Sequence, residues 1–146
     1  MSKTTPGPAE ALAAVTDRYP GAESFTFGDS RDLCDHLLAL VRAGSKRATC
    51  GALRDFGDGG ESLPVVGRRD IALDWDGYPA LVIETEQVTV CRFREVSEAF
   101  ALAEGEDATF DGWRQGHIAY FERNGGWAPD MELVCERFKL VEDLLR

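Results

Sequence analysis

The chain has 146 residues, 44% hydrophobic and 29% charged, and a formal net charge of −10. It is long enough to bury one core without staples, and its charge excludes a broad, salt-driven grip on nucleic acid, because neutralising phosphates takes clustered Lys and Arg. No stretch approaches the length of a membrane span, and MSKTTPGPAEALAAV lacks a basic, apolar, cleavable signal, so a cytoplasmic protein with no membrane partner is expected.

Residues before about Pro8 are expected to be disordered. Ala9 to Tyr19 reads as a first helix, with Leu12 and Val15 on one face and Pro20-Gly21 closing it. Phe25 and Phe27 alternate with polar residues before the turn Gly28-Asp29-Ser30. Asp29 or Ser30 caps a second helix that runs to about Ala43. In it Leu33, Leu37, Leu40 and Val41 recur at helical spacing, and Gly44 supplies the stop. Arg47 to Leu53 reads as a short strand. The glycine-rich, acidic FGDGGESLP after it is a solvated connection or a rim over a site.

Arg69 to Asp74 and Ala80 to Arg92 read as two strands joined by the hairpin signal Asp76-Gly77. The alternation of the second strand slips near Glu86 and Gln87, which predicts a bulge or bend there. Ser97 caps a short helix, SEAFALAEG. A longer helix spans about Thr109 to Arg123, with Phe110, Trp113, His117, Tyr120 and Phe121 on its apolar face, and Asn124-Gly125-Gly126 ends it. Met131 to Val141 alternates as a final strand. Without repeats or a linker, these elements predict an α+β fold, a small mixed β-barrel with surrounding helices.

The four cysteines, Cys34, Cys50, Cys91 and Cys135, show no CxxC or Cys/His spacing, so free, mostly buried thiols are expected rather than a zinc site. Charge is unevenly placed. Between Arg42 and Arg94 eight basic residues match eight acidic ones, so the negative excess lies in the flanks. A local basic pocket is the expectation, suited to a nucleoside, a nucleotide or a short single strand rather than a long duplex.

Seven segments carry a family resemblance: FGDS at Phe27, LVRAGSKRATC around Lys46, LPVVG at Leu63, VIETEQV at Val82, FALAEGE at Phe100, WRQGHIAYF at Trp113 and DMELVCERF at Asp130. In this order and spacing the chain resembles the ASCH domain, a PUA-like β-barrel family, and in particular its bacterial stand-alone branch. The resemblance implies a PUA-like domain over residues 25–146, preceded by an N-terminal tail and helix over residues 1–24. It also implies an RNA-related role. One branch includes amidohydrolases that remove the acetyl group from N4-acetylcytidine, and another member type is described as a ribonuclease. In the amidohydrolase branch the working residues are the lysine and threonine of G-x-K-x-x-T and a downstream glutamate, which fall here on Lys46, Thr49 and Glu104. Such an amidase needs no metal or other cofactor. The chain departs from the family in reading EGEDA where the usual run is EGEGD, and in a longer stretch between strands.

Read physically, Lys46 has three possible roles. Near other cations such as Arg47 or Arg114 it would lose pKa and act as a base. Ionised, it would hold a phosphate or stabilise an oxyanion. Otherwise it is an exposed lysine favoured at a helix C-terminus. Thr49 is a nucleophile or simply a good strand residue. The two can meet only if Lys46 lies in the turn before the strand, because positions three apart on a strand point to opposite faces. Glu104 near a helix C-terminus opposes the dipole, and pairing with Lys46 would compensate.

Glu106 and Asp107 read as a solvated acidic loop, or with Glu104 as a divalent-cation site. Arg47, Arg114 and His117 are the candidate substrate-binding residues, Arg114 through its fork of donors and His117 as a structural histidine or a general acid. Glu84 and Arg137 sit on strands, where they could form an internal pair, and are given no catalytic role. Three functions stay open: an amidohydrolase, a non-catalytic module that binds RNA or a nucleotide through Lys46, Arg47 and Arg114, and a metal-assisted ribonuclease.

Overall fold

The computed structural model describes residues 5–144. The segment expected to be disordered therefore lies partly outside the described residues. In chain order the elements are α1 (Pro8–Arg18), β1 (Ser24–Thr26), α2 (Arg31–Ala43), β2 (Ala48–Ala52), β3 (Arg69–Leu73), β4 (Pro79–Arg92), α3 (Glu98–Ala103), α4 (Phe110–Arg123) and β5 (Glu132–Asp143). The helix ends follow from local chemistry. Ser30, Ser97 and Thr109 each accept a backbone N–H of the first turn of α2, α3 and α4, satisfying a donor that the helix leaves orphaned. Gly44 closes α2 at φ 89°, in the left-handed region that glycine enters without penalty.

The strands form one mixed sheet in the order β1-β3-β4-β5-β2, with β1 parallel to β3 and the other neighbours antiparallel. The α+β architecture is the expected one, and the sheet is open, with β1 and β2 as its edges. The β4–β5 register shifts between Thr85 and Gln87, where the sequence alternation slips, so one residue is extra and the strand bends.

Both faces of the sheet are covered. On one side α2 packs Cys34, Leu37, Leu38 and Val41 against Phe27, Leu81, Ile83 and Phe138. On the other, Val15 of α1 meets Ile71 and Val82. Leu81 and Val82 point to opposite faces, which is why the first half of β4 is apolar without alternation. A second core lies towards the other end, where Phe93, Phe100, Trp113 and Phe121 enclose Ala48 and Leu133.

One side-chain expectation is corrected here, and another holds. Glu84 pairs with Arg69 across the β3–β4 ladder at 3.1 Å, and Arg137 lies over the Phe100 ring instead. The four cysteines are free, and the fold brings Cys91 and Cys135 of adjacent strands within 3.7 Å although they are distant in sequence.

Candidate active site

The turn between α2 and β2 meets the end of α3. Arg47 N–H donates to Ala103 C=O at 2.8 Å, and Gly105, at φ 74°, lies so close to Ser45 that a Cβ there would overlap the Ser45 carbonyl oxygen. This contact places Lys46 against Glu104. Lys46 precedes β2, the condition under which it can share a site with a strand residue three positions on. Its ammonium is fully buried and donates to Glu106 Oε2 at 2.7 Å, Glu104 Oε1 at 3.2 Å and the Glu104 carbonyl at 3.4 Å. All three N–H bonds have an acceptor. Glu104 is equally buried, its Oε2 accepting from Trp113 Nε1 at 3.0 Å and its Oε1 lying 3.4 Å from His117 Nε2. The His117 ring stacks on Trp113 with centroids 4.4 Å apart, and its Nδ1 lies 2.9 Å from the Trp113 carbonyl oxygen.

The electrostatics follow from this enclosure. Burial alone would push Lys46 down, but the carboxylates of Glu104 and Glu106 more than offset it, and the amine is held above its ordinary value. The expected lowering by Arg47 and Arg114 is overturned. Arg47 turns back to the carbonyls of Val41 and Lys46, and Arg114 lies over the Phe93 ring. Burial would raise Glu104, yet Lys46, His117 and Trp113 hold it well below the usual carboxylate range. Glu106 differs in sign: burial outweighs Lys46 and raises its carboxyl. Burial would lower His117, and Glu104 and Glu106 raise it. Glu106 is thus no solvated loop residue. The signal that could have found it is Glu-Gly-Glu itself, in which the close-packed glycine holds both carboxylates on one lysine.

Beside this network lies a cavity of about 690 Å³, within the usual range for small-ligand sites. Thr49 and Cys50 of β2, Phe25 of β1, Glu136 of β5, and Glu104, Glu106 and His117 from the helical side all line it. Residues of both edge strands, β1 and β2, line this one cavity, so the opening of the sheet is the site. Lys46 sits behind the two carboxylates with no exposed surface. Of the six candidate site residues, the fold brings Lys46, Thr49, Glu104 and His117 to the cavity or its wall, and leaves Arg47 and Arg114 off it.

The expected basic pocket is corrected too. Glu23, Asp55, Glu61, Asp70, Glu104, Glu106, Asp107 and Glu136 line the cavity. Its two arginines are already engaged: Arg68 is held by both oxygens of Asp70 and Arg123 by both oxygens of Asp29. The Arg42 to Arg94 count missed this because most of its cations point elsewhere.

Donor atoms of Cys50, Glu104 and His117 lie within 4.8 Å of one another, a possible cation-binding trio among the described residues. A cation there would meet the Lys46 ammonium on the same Glu104 oxygen. The Cys50 thiol, which hydrogen-bonds Glu104, is pushed well up by burial and so is a poor thiolate ligand. The trio fits a metal badly.

An α+β fold with an enclosed lysine–carboxylate network at the opening of its sheet defines the class. The ASCH domain family model matches residues 23–142, and the chain belongs to that family. Two solved structures are similar over most of their length. Protein EF3133 from Enterococcus faecalis V583, of family DUF984, is 34% identical with a TM-score of 0.76, over 89% of this chain and 85% of that one. The ASCH domain from Lactobacillus crispatus JV V101 is 29% identical with a TM-score of 0.75, over 91% of this chain and 87% of that one. No curated protein matches the chain. No helix among the described residues is long and apolar enough to cross a membrane.

Proposed function

We propose that the chain is an amidohydrolase that removes the acyl group from the exocyclic amine of a free pyrimidine nucleoside of the N4-acetylcytidine type. The observation that carries this reading is the buried Lys46 ammonium held between Glu104 and Glu106, at the wall of a nucleoside-sized cavity that Thr49 lines. Thr49 Oγ1 adds to the acyl carbon, the carbon–nitrogen bond breaks, and the amine leaves with a proton. Water then cleaves the threonine ester, releasing the acid and restoring the hydroxyl. Glu106 faces the cavity with a raised carboxyl pKa, suited to protonating the leaving amine. Lys46 stays ionised, orients both carboxylates and sets a positive charge near the oxyanion.

Membership of the ASCH family supports a nucleic-acid-related target in general, and the charge of the cavity favours a free nucleoside within that class. Its arginines are paired and its wall is rich in carboxylates, so little remains to neutralise a phosphate.

The test is hydrolysis of N4-acetylcytidine to cytidine and acetate by the wild type beside Thr49→Ala and Lys46→Ala. Wild-type turnover with a loss of about a thousandfold in Thr49→Ala is the expected result, the scale of removing a nucleophile. A folded wild type that hydrolyses no N4-acylated cytosine or cytidine sinks the reading.

A further inference from the structure

The amidohydrolase reading leaves one step without an agent. Thr49 must lose a proton to become a nucleophile, and Lys46 is poorly placed to take it, being ionised, fully buried and committed to three acceptors. Across the β2–β5 ladder, however, Thr49 and Glu136 are direct partners. Side chains of such a pair share a face, with Cβ atoms about 5 Å apart, and both line the cavity. Glu136 Oε2 accepts the Thr85 hydroxyl at 2.6 Å, from a residue itself 1% exposed. That bond fixes the carboxylate through Oε2 and leaves Oε1 without a hydrogen-bond partner among the described residues, on a side chain that lines the same cavity as Thr49.

We propose that Glu136 is the general base of the site, taking the Thr49 proton at Oε1 as the threonine oxygen bonds to the acyl carbon. The inference rests on the amidohydrolase reading and names the base within it. The proton balance closes over the two half-reactions. Glu136 accepts the hydroxyl proton while the leaving amine is protonated from Glu106. In the second half Glu136, having returned its proton to Glu106 across the shared cavity by way of solvent, takes a proton from the attacking water. As the ester breaks, Thr49 Oγ1 recovers a proton from Glu136, and water has been split between amine and acid.

The groups that face Glu136 support this role. They are Thr49 from β2, Thr85 from β4, Arg68 and Asp70 from β3 and the residue before it, and Glu61 from the loop; Glu104, Glu106 and His117 line the same cavity from the helical side. Burial, with Asp70 and Glu61, raises the carboxyl above 4.5, whereas Thr85 and Arg68 pull it down. A carboxylate raised in this way is a stronger base than a free one.

The experiment is the pH profile of kcat/KM for N4-acetylcytidine in the wild type, Glu136→Gln, Thr85→Val and Thr85→Ser, with folding followed by circular dichroism. Glu136→Gln should lose about a hundredfold or more together with the acid limb of the profile. Thr85→Val removes a donor that favours the ionised carboxylate, so its acid limb should move to higher pH, while Thr85→Ser keeps the wild-type limb. Wild-type activity in folded Glu136→Gln overturns the proposal, as does a weakened Glu136→Gln that keeps the wild-type limb, because a structural role would produce that result. If Glu136→Gln does not fold, an unmoved limb in Thr85→Val overturns it. In each of these outcomes an active wild type that depends on Thr49 leaves the amidohydrolase reading standing; a wild type inactive on every acylated cytosine overturns that reading instead.

Discussion

At the scale of single residues, Lys46 neutralises the fully buried Glu104 carboxylate and also donates to Glu106. Lys46→Ala is therefore expected to lose about 3–5 kcal/mol of stability, the cost of stranding a buried charge, read as a fall in the urea midpoint. The triple variant Lys46→Met, Glu104→Gln, Glu106→Gln should recover part of that loss, because it removes the charges together. His117 gives the same network a pH dependence. Its folded pKa lies above 6.5, raised by Glu104, so its contribution is complete below pH 6.5 and is lost as pH rises through the folded value. Glu104 has the opposite sign: its depressed pKa contributes stability above pH 4.5 that is lost only in strong acid. A series of urea midpoints should thus show the gap between wild type and His117→Asn shrinking as pH rises above 6.5.

At the scale of elements, the site depends on one close approach, between the α2–β2 turn and the end of α3. Gly105 permits it twice over, through its positive φ and through its missing Cβ. Gly105→Ala should cost at least about 1 kcal/mol from the backbone conformation alone and should also push Glu104 away from Lys46. Its activity on N4-acetylcytidine is expected to fall further than its urea midpoint, whereas Gly126→Ala, at another positive φ (111°) with nothing within 4 Å of the added Cβ, should be destabilised with activity largely kept. Parallel midpoints and rates for the two variants check this, and equal activity in both would remove the role given to the contact.

At the scale of the whole molecule, a chain of net charge −10 places a carboxylate-rich cavity at the opening of its sheet. A substrate that brings phosphates meets repulsion with no unpaired arginine in the cavity to offset it. N4-acetylcytidine 5′-monophosphate should therefore be hydrolysed with a kcat/KM at least about tenfold below that of the nucleoside, and the gap should narrow with salt, since screening shortens the reach of the wall charges. Equal efficiency at low ionic strength would contradict the reading.

Much of this protein is local chemistry and could be read from the chain. Ser30 and Ser97 cap helices because short side-chain oxygens satisfy orphaned donors. Gly44 stops α2 because it alone enters the left-handed region freely, and the slip at Glu86 marks the bulge because strands have a period of two. The segments around Lys46, Glu104 and Trp113 also marked out the family. The partners of those residues were a different matter. Glu106 looked solvated, Arg114 looked available and Glu136 was one polar residue in an alternating strand. Burial, charge pairing and strand register arise between segments far apart in the chain, so only the tertiary structure decided that Glu106 closes on Lys46, that Arg114 rests on Phe93, and that Glu136 stands opposite Thr49.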